Sequence, residues 1–216
     1  MKHALVFTAL MACFAAAPLA AAEGEWKPLF NGKDTTGWTN AAGKAPNAGW
    51  VVEGDTLTLK KGGGDIWTKE RYGDFVLDLE FKTTGNSGVF IRTDKPTDNV
   101  QTGIEVQVDN PAAKPSKHSV GAIYDLVPPS KAVGKKDDWN HCVITAQGAK
   151  LKVELNGEPI AEMNLDEWKD GSKNPDGSGN KFKTALKDFK REGHIGFQDH
   201  GAAVSYRNVK IKSLGK

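Results

Sequence analysis

The stretch DFVLDLEFKTT, residues 74–84, has a large apolar side chain at every second position from 75 to 81, with Asp78, Glu80 and Lys82 on the other parity. Its large apolar residues share one parity: Phe75, Leu77, Leu79 and Phe81. Because successive side chains of a strand point to opposite faces, this pattern predicts a strand with one face in a hydrophobic core and the other in water.

Further strand signals recur on both sides of this stretch, with turn residues between them. They cover residues 49–60 (two short strands around Gly54), 87–93, 103–109, 120–126, 139–165 (a meander with turns at QG and NG), 194–200 and 203–214. Helical patterns are nearly absent, apart from one turn near Ala185. Many short strands without βαβ alternation predict an all-β, antiparallel two-sheet sandwich. A long polar loop, residues 166–193, interrupts it, and loops of that length tend to be functional or disordered.

Residues 1–22 have the features of a secretory signal peptide: one lysine, an uninterrupted apolar run and a small-residue end. We therefore expect cleavage after Ala22, a domain spanning residues 23–216, and a periplasmic or extracellular location. No later run reaches the length of a membrane span. Cys142 is then the only cysteine left, and its phase with Ile144 favours a small buried side chain over a nucleophile.

Charge excludes some partners. The chain has 29 Lys and Arg against 27 Asp and Glu, a formal net charge of +2, and both signs are scattered along it. Such a balance gives no support for a nucleic-acid or membrane partner.

The strand GIEVQVD, residues 103–109, is the first candidate for a functional face. Val106 and Val108 suit a core face, which leaves Glu105, Gln107 and Asp109 together on the opposite one. Acid and amide groups in succession are suited to hydrogen-bonding polyols or to coordinating a cation. A plain solvent-exposed face is the alternative.

Several other polar or aromatic residues extend this candidate site. In GNSGVFIR, residues 85–92, Asn86 can donate and accept hydrogen bonds, and Arg92 shares parity with Gly88, although a surface ion pair is the simpler reading of Arg92. Tyr124 and Trp139 lie at predicted strand ends, where a ring can stack on a sugar; core packing is the alternative for both.

The segment GHIGFQDHG, residues 193–201, places His194, Gln198 and His200 on one parity. A histidine beside an amide and carboxylates on a polar face suits a base or a metal ligand, so His200 is the predicted base. If the site holds a divalent metal, Glu105 and His200 are its expected ligands. His118 and His141 are interpreted as ordinary loop and surface residues.

Eight motifs occur together in the order typical of one family: PLFNGKDTTGW, GNSGVFIR, GIEVQVD, GAIYDL, DDWN, LNG, GHIGFQDHG and YRNVKIKSL. From about Trp26 to Leu214 the chain resembles the secreted bacterial 3-keto-disaccharide hydrolase domain, a glycosidase-like family with the concanavalin A-like jelly-roll fold. The resemblance implies a concave sugar-binding groove, with polar positions at Asn86, Arg92, Glu105, Gln107, Asp109, Gln198 and His200. The loop after Asp109 departs from the family pattern.

The resemblance also implies a chemistry and an oligosaccharide or glycoside substrate. A ketone at C3 acidifies the C2 proton, a base removes it, and the glycosidic oxygen then leaves C1 by elimination. This route needs a base and a positive or hydrogen-bonding group at the enolate oxygen. We expect His200, Glu105 and Arg92 to supply them, with Asn86, Gln107, Asp109, Tyr124, Trp139 and Gln198 binding the sugar.

Two other functions stay open at this point. A non-catalytic, lectin-like carbohydrate-binding module has the same sandwich, and fold alone does not decide function. An ordinary hydrolase using Glu105 and Asp109 is less favoured. Their Cα atoms would lie roughly 13 Å apart on one strand, whereas the carboxyl groups of inverting glycosidases are about 6.5–9.5 Å apart.

Overall fold

The computed structural model describes residues 23–215, so the predicted signal peptide lies outside the described residues. Two antiparallel sheets pack face to face, one with eight strands and one with five. This confirms the predicted all-β jelly-roll sandwich.

The larger sheet has the strand order β11-β10-β9-β6-β13-β4-β3, and β1 pairs with the second half of β13. Its strands are β1 (Glu23–Pro28), β3 (Trp50–Glu53), β4 (Thr56–Leu59), β6 (Phe75–Thr83), β9 (Asn140–Gln147), β10 (Lys150–Leu155), β11 (Glu158–Asn164) and β13 (Val204–Leu214). The predicted meander is therefore confirmed as β9, β10 and β11.

The smaller sheet has the order β2-β5-β12-β7-β8, which leaves β8 at one edge. Its strands are β2 (Trp38–Asn40), β5 (Ile66–Thr68), β7 (Ser87–Thr93), β8 (Ile104–Val108) and β12 (His194–Phe197). Helical structure in the described residues is limited to α1 (Asn99–Thr102) and to 3₁₀ turns at Pro96–Asp98, Leu165–Glu167 and Leu186–Asp188. The last of these turns confirms the one expected near Ala185. None of the helices in residues 23–215 has the length and apolar character needed to cross a bilayer.

The core lies between the two sheets and follows the predicted alternation. The four apolar residues of β6 that share one parity are at most 1% exposed, whereas Lys82 between Phe81 and Thr83 is exposed. Cys142 is buried in the same core. Burial, together with the nearby charge of Asp78, raises the pKa of its thiol to about 12, so the residue packs as a small hydrophobe and is not a nucleophile.

One predicted strand is wrong. Residues 120–126 form a sequence of turns that pairs locally with β8 through an isolated bridge between Ile123 and Val106. Gly121 has φ +79 and Asp125 has φ +64, and two left-handed residues this close together interrupt the extended backbone of a regular strand. The segment therefore bends along the edge of β8, and this bend brings Tyr124 beside the polar face described next.

Candidate functional site

The outer face of the smaller sheet carries the candidate site. Along β5, β7, β8 and β12, every second side chain joins the core: Ile66, Val89, Ile91, Ile104, Val106, Val108, Ile195 and Phe197. The intervening positions face away from the larger sheet, as alternation requires. They include Trp67, Phe90, Glu105 and Gln107, all at most 4% exposed. Side chains on an outer face stay this buried only because the loops around the sheet cover them.

Two glycines shape the floor of this face. Gly196 pairs with Trp67 on one side and Phe90 on the other. A Cβ at Gly196 would lie 2.3 Å from the Trp67 ring, which therefore lies flat over this glycine. A Cβ at Gly88 would lie 2.7 Å from the Glu105 Oε1 atom. The Glu105 carboxylate thus occupies the space that any other residue at position 88 would fill.

A buried ion pair forms the centre of the site. Glu105 Oε2 accepts a hydrogen bond of 2.9 Å from Lys181 Nζ, and the two side chains are 4% and 19% exposed. The ammonium group also lies 4.4 Å from the ring centroid of Tyr124. A charge pair this buried is held firmly, because removing one partner would leave the other charge uncompensated. Lys181 was not among the residues predicted from the sequence.

The main chain around Lys181 is held by two other parts of the fold. Its N–H donates to Asp125 Oδ2 at 2.6 Å, and its carbonyl accepts from Gln101 Nε2 at 2.8 Å. The Gln101 Oε1 atom accepts in turn from the N–H of Lys183 at 2.9 Å. The long polar loop is therefore fixed over the sheet with its lysine directed at Glu105.

Tyr124 reaches the site through the bend after β8. Its N–H donates to the Glu105 carbonyl at 2.8 Å, and the N–H of Gly121 donates to the Gln107 carbonyl at 2.9 Å. Tyr124 therefore lies beside Glu105, as expected for a sugar-binding ring. Burial, with the charges of Glu105 and Asp125, raises the pKa of the Tyr124 phenol, so it remains a hydrogen-bond donor at neutral pH.

The predicted amides lie in a row next to the ion pair. Gln107 Nε2 donates to Asn86 Oδ1 at 3.1 Å, and the N–H of Gln198 donates to the Gly88 carbonyl at 3.0 Å. Three buried atoms on this face have no hydrogen-bond partner within residues 23–215: Gln107 Oε1, Gln198 Oε1 and Trp67 Nε1. Buried polar atoms without partners cost free energy, and hydroxyl groups of a sugar can donate to the two oxygens and accept from the indole N–H.

A second carboxylate borders the same face. Asp65 accepts from the N–H of Asp199 and from Asn99 Nδ2, both at 2.8 Å. Burial raises the pKa of Asp65, and the negative charges of Asp199 and Glu105 raise it further. Asp65 was not among the residues predicted from the sequence, because it precedes a short strand that has no polar alternation.

Arg92 does not join Glu105, which corrects the prediction from parity. It has φ +50 and sits where β7 contains one residue more than β12 between their pairs. This bulge turns its side chain off the polar face. Its Nε, Nη1 and Nη2 atoms donate to the Gly73 carbonyl, the Gly148 carbonyl and Asp74 Oδ1, at 2.8, 2.6 and 2.8 Å. The buried guanidinium therefore links the residues just before β6 to the turn after β9 in the larger sheet.

Two further predicted residues lie outside the cluster. Trp139 packs against Arg207 of the larger sheet, with the guanidinium carbon 4.1 Å from its ring centroid. Arg207 is bonded to Glu80 on β6, so the prediction of Trp139 as a platform on the polar face is wrong. Asp109 follows the end of β8, and its Oδ1 accepts from the N–H of Asn110 at 2.7 Å. Strand alternation no longer directs the Asp109 side chain onto the face.

His200 is also placed differently from the prediction. β12 ends at Phe197, and the N–H of Gln198 still donates to the Gly88 carbonyl, but no strand continues the alternation from Gln198 to His200. His200 is exposed, and no hydrogen bond or ion pair joins it to Glu105. It follows Asp199, whose Oδ2 accepts from the N–H of Gly64, so its turn borders the Asp65 end of the face.

The expected metal pair, Glu105 with His200, does not fit the arrangement. Glu105 has Lys181 as its partner, and a cation at that position would be repelled by the ammonium group. Within the described part of the chain, no group of three or more His, Cys, Asp or Glu is placed to hold a metal ion.

Matches with known proteins span nearly the whole described chain. The family model described as the 3-keto-alpha-glucoside-1,2-lyase-like domain matches residues 25–212. A curated Bacteroides thetaiotaomicron protein named 3-keto-disaccharide hydrolase is 25% identical in an alignment of 224 positions, gaps included, that covers 86% of this chain and 77% of that protein.

Solved structures are also similar to this chain over most of its length. Two Parabacteroides distasonis proteins described as candidate glycosyl hydrolases align over 88% of this chain. The first is 33% identical with a TM-score of 0.75 and is covered completely. The second is 29% identical with a TM-score of 0.74 and is covered over 94% of its length.

Proposed function

Because the chain belongs to the 3-keto-α-glucoside-1,2-lyase-like domain family, we propose that it cleaves the glycosidic bonds of 3-keto-glycosides. The reaction we propose is removal of the C2 proton followed by elimination of the C1 oxygen, and addition of water to the resulting enone gives net hydrolysis. The family and the curated relative support a glycosidase-like, carbohydrate-active protein.

The observation that carries the proposal is the contact of 2.9 Å between Glu105 Oε2 and Lys181 Nζ. In a 3-keto sugar, the C2 proton and the C3 oxygen are on neighbouring carbons. A carboxylate and an ammonium group in contact can therefore reach both at once, Glu105 as the base and Lys181 at the oxygen that becomes the enolate.

The same pair also suits the movement of charge. Before proton transfer the negative charge is on Glu105, and afterwards it is on the enolate oxygen. The Lys181 ammonium group is close to both positions, so negative charge is neutralised at each stage in a site that excludes much of the water. This chemistry does not need the two opposed carboxylates of ordinary glycosidases.

The rest of the face would hold the sugar. Gln107, Gln198 and Trp67 each offer a buried atom without a partner, and Tyr124 offers a ring beside Glu105. His200 is an alternative base, because its turn borders the same face.

The test is turnover of a 3-keto-glucoside by purified variants. We expect Glu105→Gln to lower kcat by about a thousandfold or more and Lys181→Met by at least about a hundredfold, because each removes a group that acts on the reacting atoms. His200→Ala is expected to stay within about threefold of the wild type. His141→Ala is the matched control, since His141 lies on the other sheet.

Two outcomes contradict the assignment in different ways. Full activity in Glu105→Gln together with inactive His200→Ala would move the base to His200. Full activity in both Glu105→Gln and Lys181→Met would remove the ion pair from the reaction. Circular dichroism and thermal melting separate lost chemistry from lost fold.

A non-catalytic carbohydrate-binding module is the second candidate. The unpaired amide oxygens and indole N–H favour it, because they need only a sugar and no reaction. Calorimetry that detects binding of oxidised and unoxidised disaccharides, with no turnover and no exchange of the C2 proton, would support this function instead.

We also propose that the protein is exported from the cytoplasm. The apolar, leader-like sequence of residues 1–22 supports export to the periplasm or the medium, where a glycoside substrate would be met. Fractionation of cells producing the full chain, with mass determination of the mature N-terminus, tests it.

A further inference from the structure

His118 and Asp125 form a hydrogen-bonded pair at the rim of the site. His118 Nε2 lies 3.2 Å from Asp125 Oδ1, and the imidazole side chain is 56% exposed. Its ring centroid is 4.7 Å from that of Tyr124. From the sequence, His118 was interpreted as an ordinary loop residue, because six residues of irregular loop separate it from Asp125.

Asp125 connects this pair to the centre of the site. While Oδ1 contacts His118, Oδ2 accepts the N–H of Lys181 at 2.6 Å. Asp125 is held at φ +64, a conformation that costs free energy unless the surroundings enforce it, and its own N–H donates to the Lys117 carbonyl at 2.9 Å. One carboxylate thus orients the imidazole and fixes the lysine that contacts Glu105.

The Tyr124 ring lies close to both Lys181 and His118. Lys181 Nζ lies 4.4 Å from the Tyr124 ring centroid, and the His118 ring lies 4.7 Å from it. A sugar whose C2 and C3 atoms are at the Glu105–Lys181 pair therefore extends its next unit towards the exposed rim, where His118 is found.

We infer that His118 is the acid that protonates the departing glycosidic oxygen, with Asp125 as its positioning residue. The inference rests on the proposed function. Glu105 takes the C2 proton, and the C2–H electrons form the C2–C3 double bond of the enolate while the C3 oxygen takes the negative charge. When the C3 carbonyl re-forms, that electron pair becomes the C1–C2 double bond of the enone, and the C1–O electrons leave with the oxygen. That oxygen takes a proton from the His118 imidazolium, so no free alkoxide is released.

The neighbouring groups make His118 the better acid. Burial and two carboxylates raise the pKa of the Tyr124 phenol, which makes it a weaker proton donor than usual. Imidazole is the commonest side chain in general acid catalysis. Around His118 the charged groups are Asp125, Lys117, whose Nζ donates to the Gly179 carbonyl, and Lys181 beside the Tyr124 ring. His118 Nδ1 has no hydrogen bond to the described residues, so it can donate one to the substrate.

The experiment compares two 3-keto-glucosides that differ only in leaving group: 4-nitrophenol, which departs without protonation, and methanol, which does not. We expect His118→Ala to lower kcat/KM for the methyl glycoside by about a hundredfold or more and for the nitrophenyl glycoside by less than about threefold. Asp125→Asn should show the same pattern more weakly, because the amide still accepts one hydrogen bond.

The matched control is His141→Ala. His141 Nε2 lies 3.0 Å from Asp78 Oδ1 on the larger sheet, so it loses the same kind of exposed pair away from the site. This variant should keep the wild-type rate with both substrates.

A second measurement isolates the step. In D₂O, His118→Ala should return methyl glycoside that carries deuterium at C2, because the base still works while departure is slowed. Equal losses on both glycosides, or no loss on either, would overturn the assignment of His118 alone. A wild-type protein that neither cleaves the substrates nor exchanges the C2 proton would instead refute the proposed function.

Discussion

Gly88→Ala tests how precisely the Glu105 carboxylate must be placed. The new Cβ would lie 2.7 Å from Glu105 Oε1 and 3.0 Å from its Cγ, with no backbone atom among its nearest contacts. The end of a flexible side chain can move, so the carboxylate should shift by about 1 Å to restore ordinary contact distances.

The consequence for the ion pair can be worked from the structure. Lengthening the Glu105–Lys181 contact from 2.9 Å by about 1 Å weakens the attraction by about 1.5 kcal/mol at an effective dielectric constant of about 20. A displacement of about 1 Å at a reacting group lowers a rate by about a hundredfold. Replacing glycine in a strand by alanine gains about 0.5–1 kcal/mol of conformational entropy. This gain offsets only part of the weakened attraction, so the free energy of unfolding should fall by about 0.5–1 kcal/mol.

The assay is kcat on a 3-keto-glucoside together with the melting temperature. Gly73→Ala is the control, because a Cβ there has only Arg191 O at 3.8 Å as a neighbour. Adding Glu105→Asp to Gly88→Ala shortens the carboxylate side chain and should recover part of the lost rate. Gly88→Ala with wild-type kcat and an unchanged melting temperature would refute the idea that this glycine positions the base.

Three other substitutions probe the surroundings. Gly196→Ala should lower the free energy of unfolding by about 2 kcal/mol or more in urea titrations, because its Cβ meets the fully buried ring of Trp67 at 2.3 Å. Arg92→Met should cost about 3 kcal/mol by removing the partner of Asp74, yet leave kcat per folded molecule unchanged; a selective loss of kcat would return Arg92 to the site. Asp65→Asn removes a carboxyl group whose pKa is higher in the folded protein than in the unfolded chain. At a pH above the folded-state pKa, the ionised Asp65 lowers the stability of the wild type. This loss disappears when the pH falls below the pKa of the unfolded chain. The stability of Asp65→Asn relative to wild type should therefore be higher at about pH 7 than at about pH 3. A difference in melting temperature that stays the same at both pH values would contradict the raised pKa of Asp65.

Much of the fold follows from local patterning. The alternation in β6, the turn at Gly54 and the position of Cys142 depend only on neighbours in the chain, and each is confirmed. Glu105 and Gln107 were found the same way, since β8 alternates without a break through both of them.

The errors occur where alternation is interrupted or where chain-distant segments meet. A bulge with left-handed backbone removes Arg92 from the face, and the early end of β12 removes the basis for placing His200. Lys181 lies 76 residues from Glu105 in an irregular loop, so no periodicity could connect them. Trp139 shows that an aromatic residue at a strand end can belong to either sheet.

The bend that carries Tyr124 also covers the free edge of the smaller sheet. β8 is the last strand of that sheet, and the bend satisfies its backbone groups at Glu105 and Gln107. An uncovered edge would present open N–H and carbonyl groups to any extended chain, which is a common origin of aggregation. The cover over this sheet edge and the proposed sugar-binding position of Tyr124 therefore depend on one short segment. Substitutions in residues 120–126 that are selected for binding of new substrates must therefore also keep the edge of β8 covered, because an open edge favours self-association.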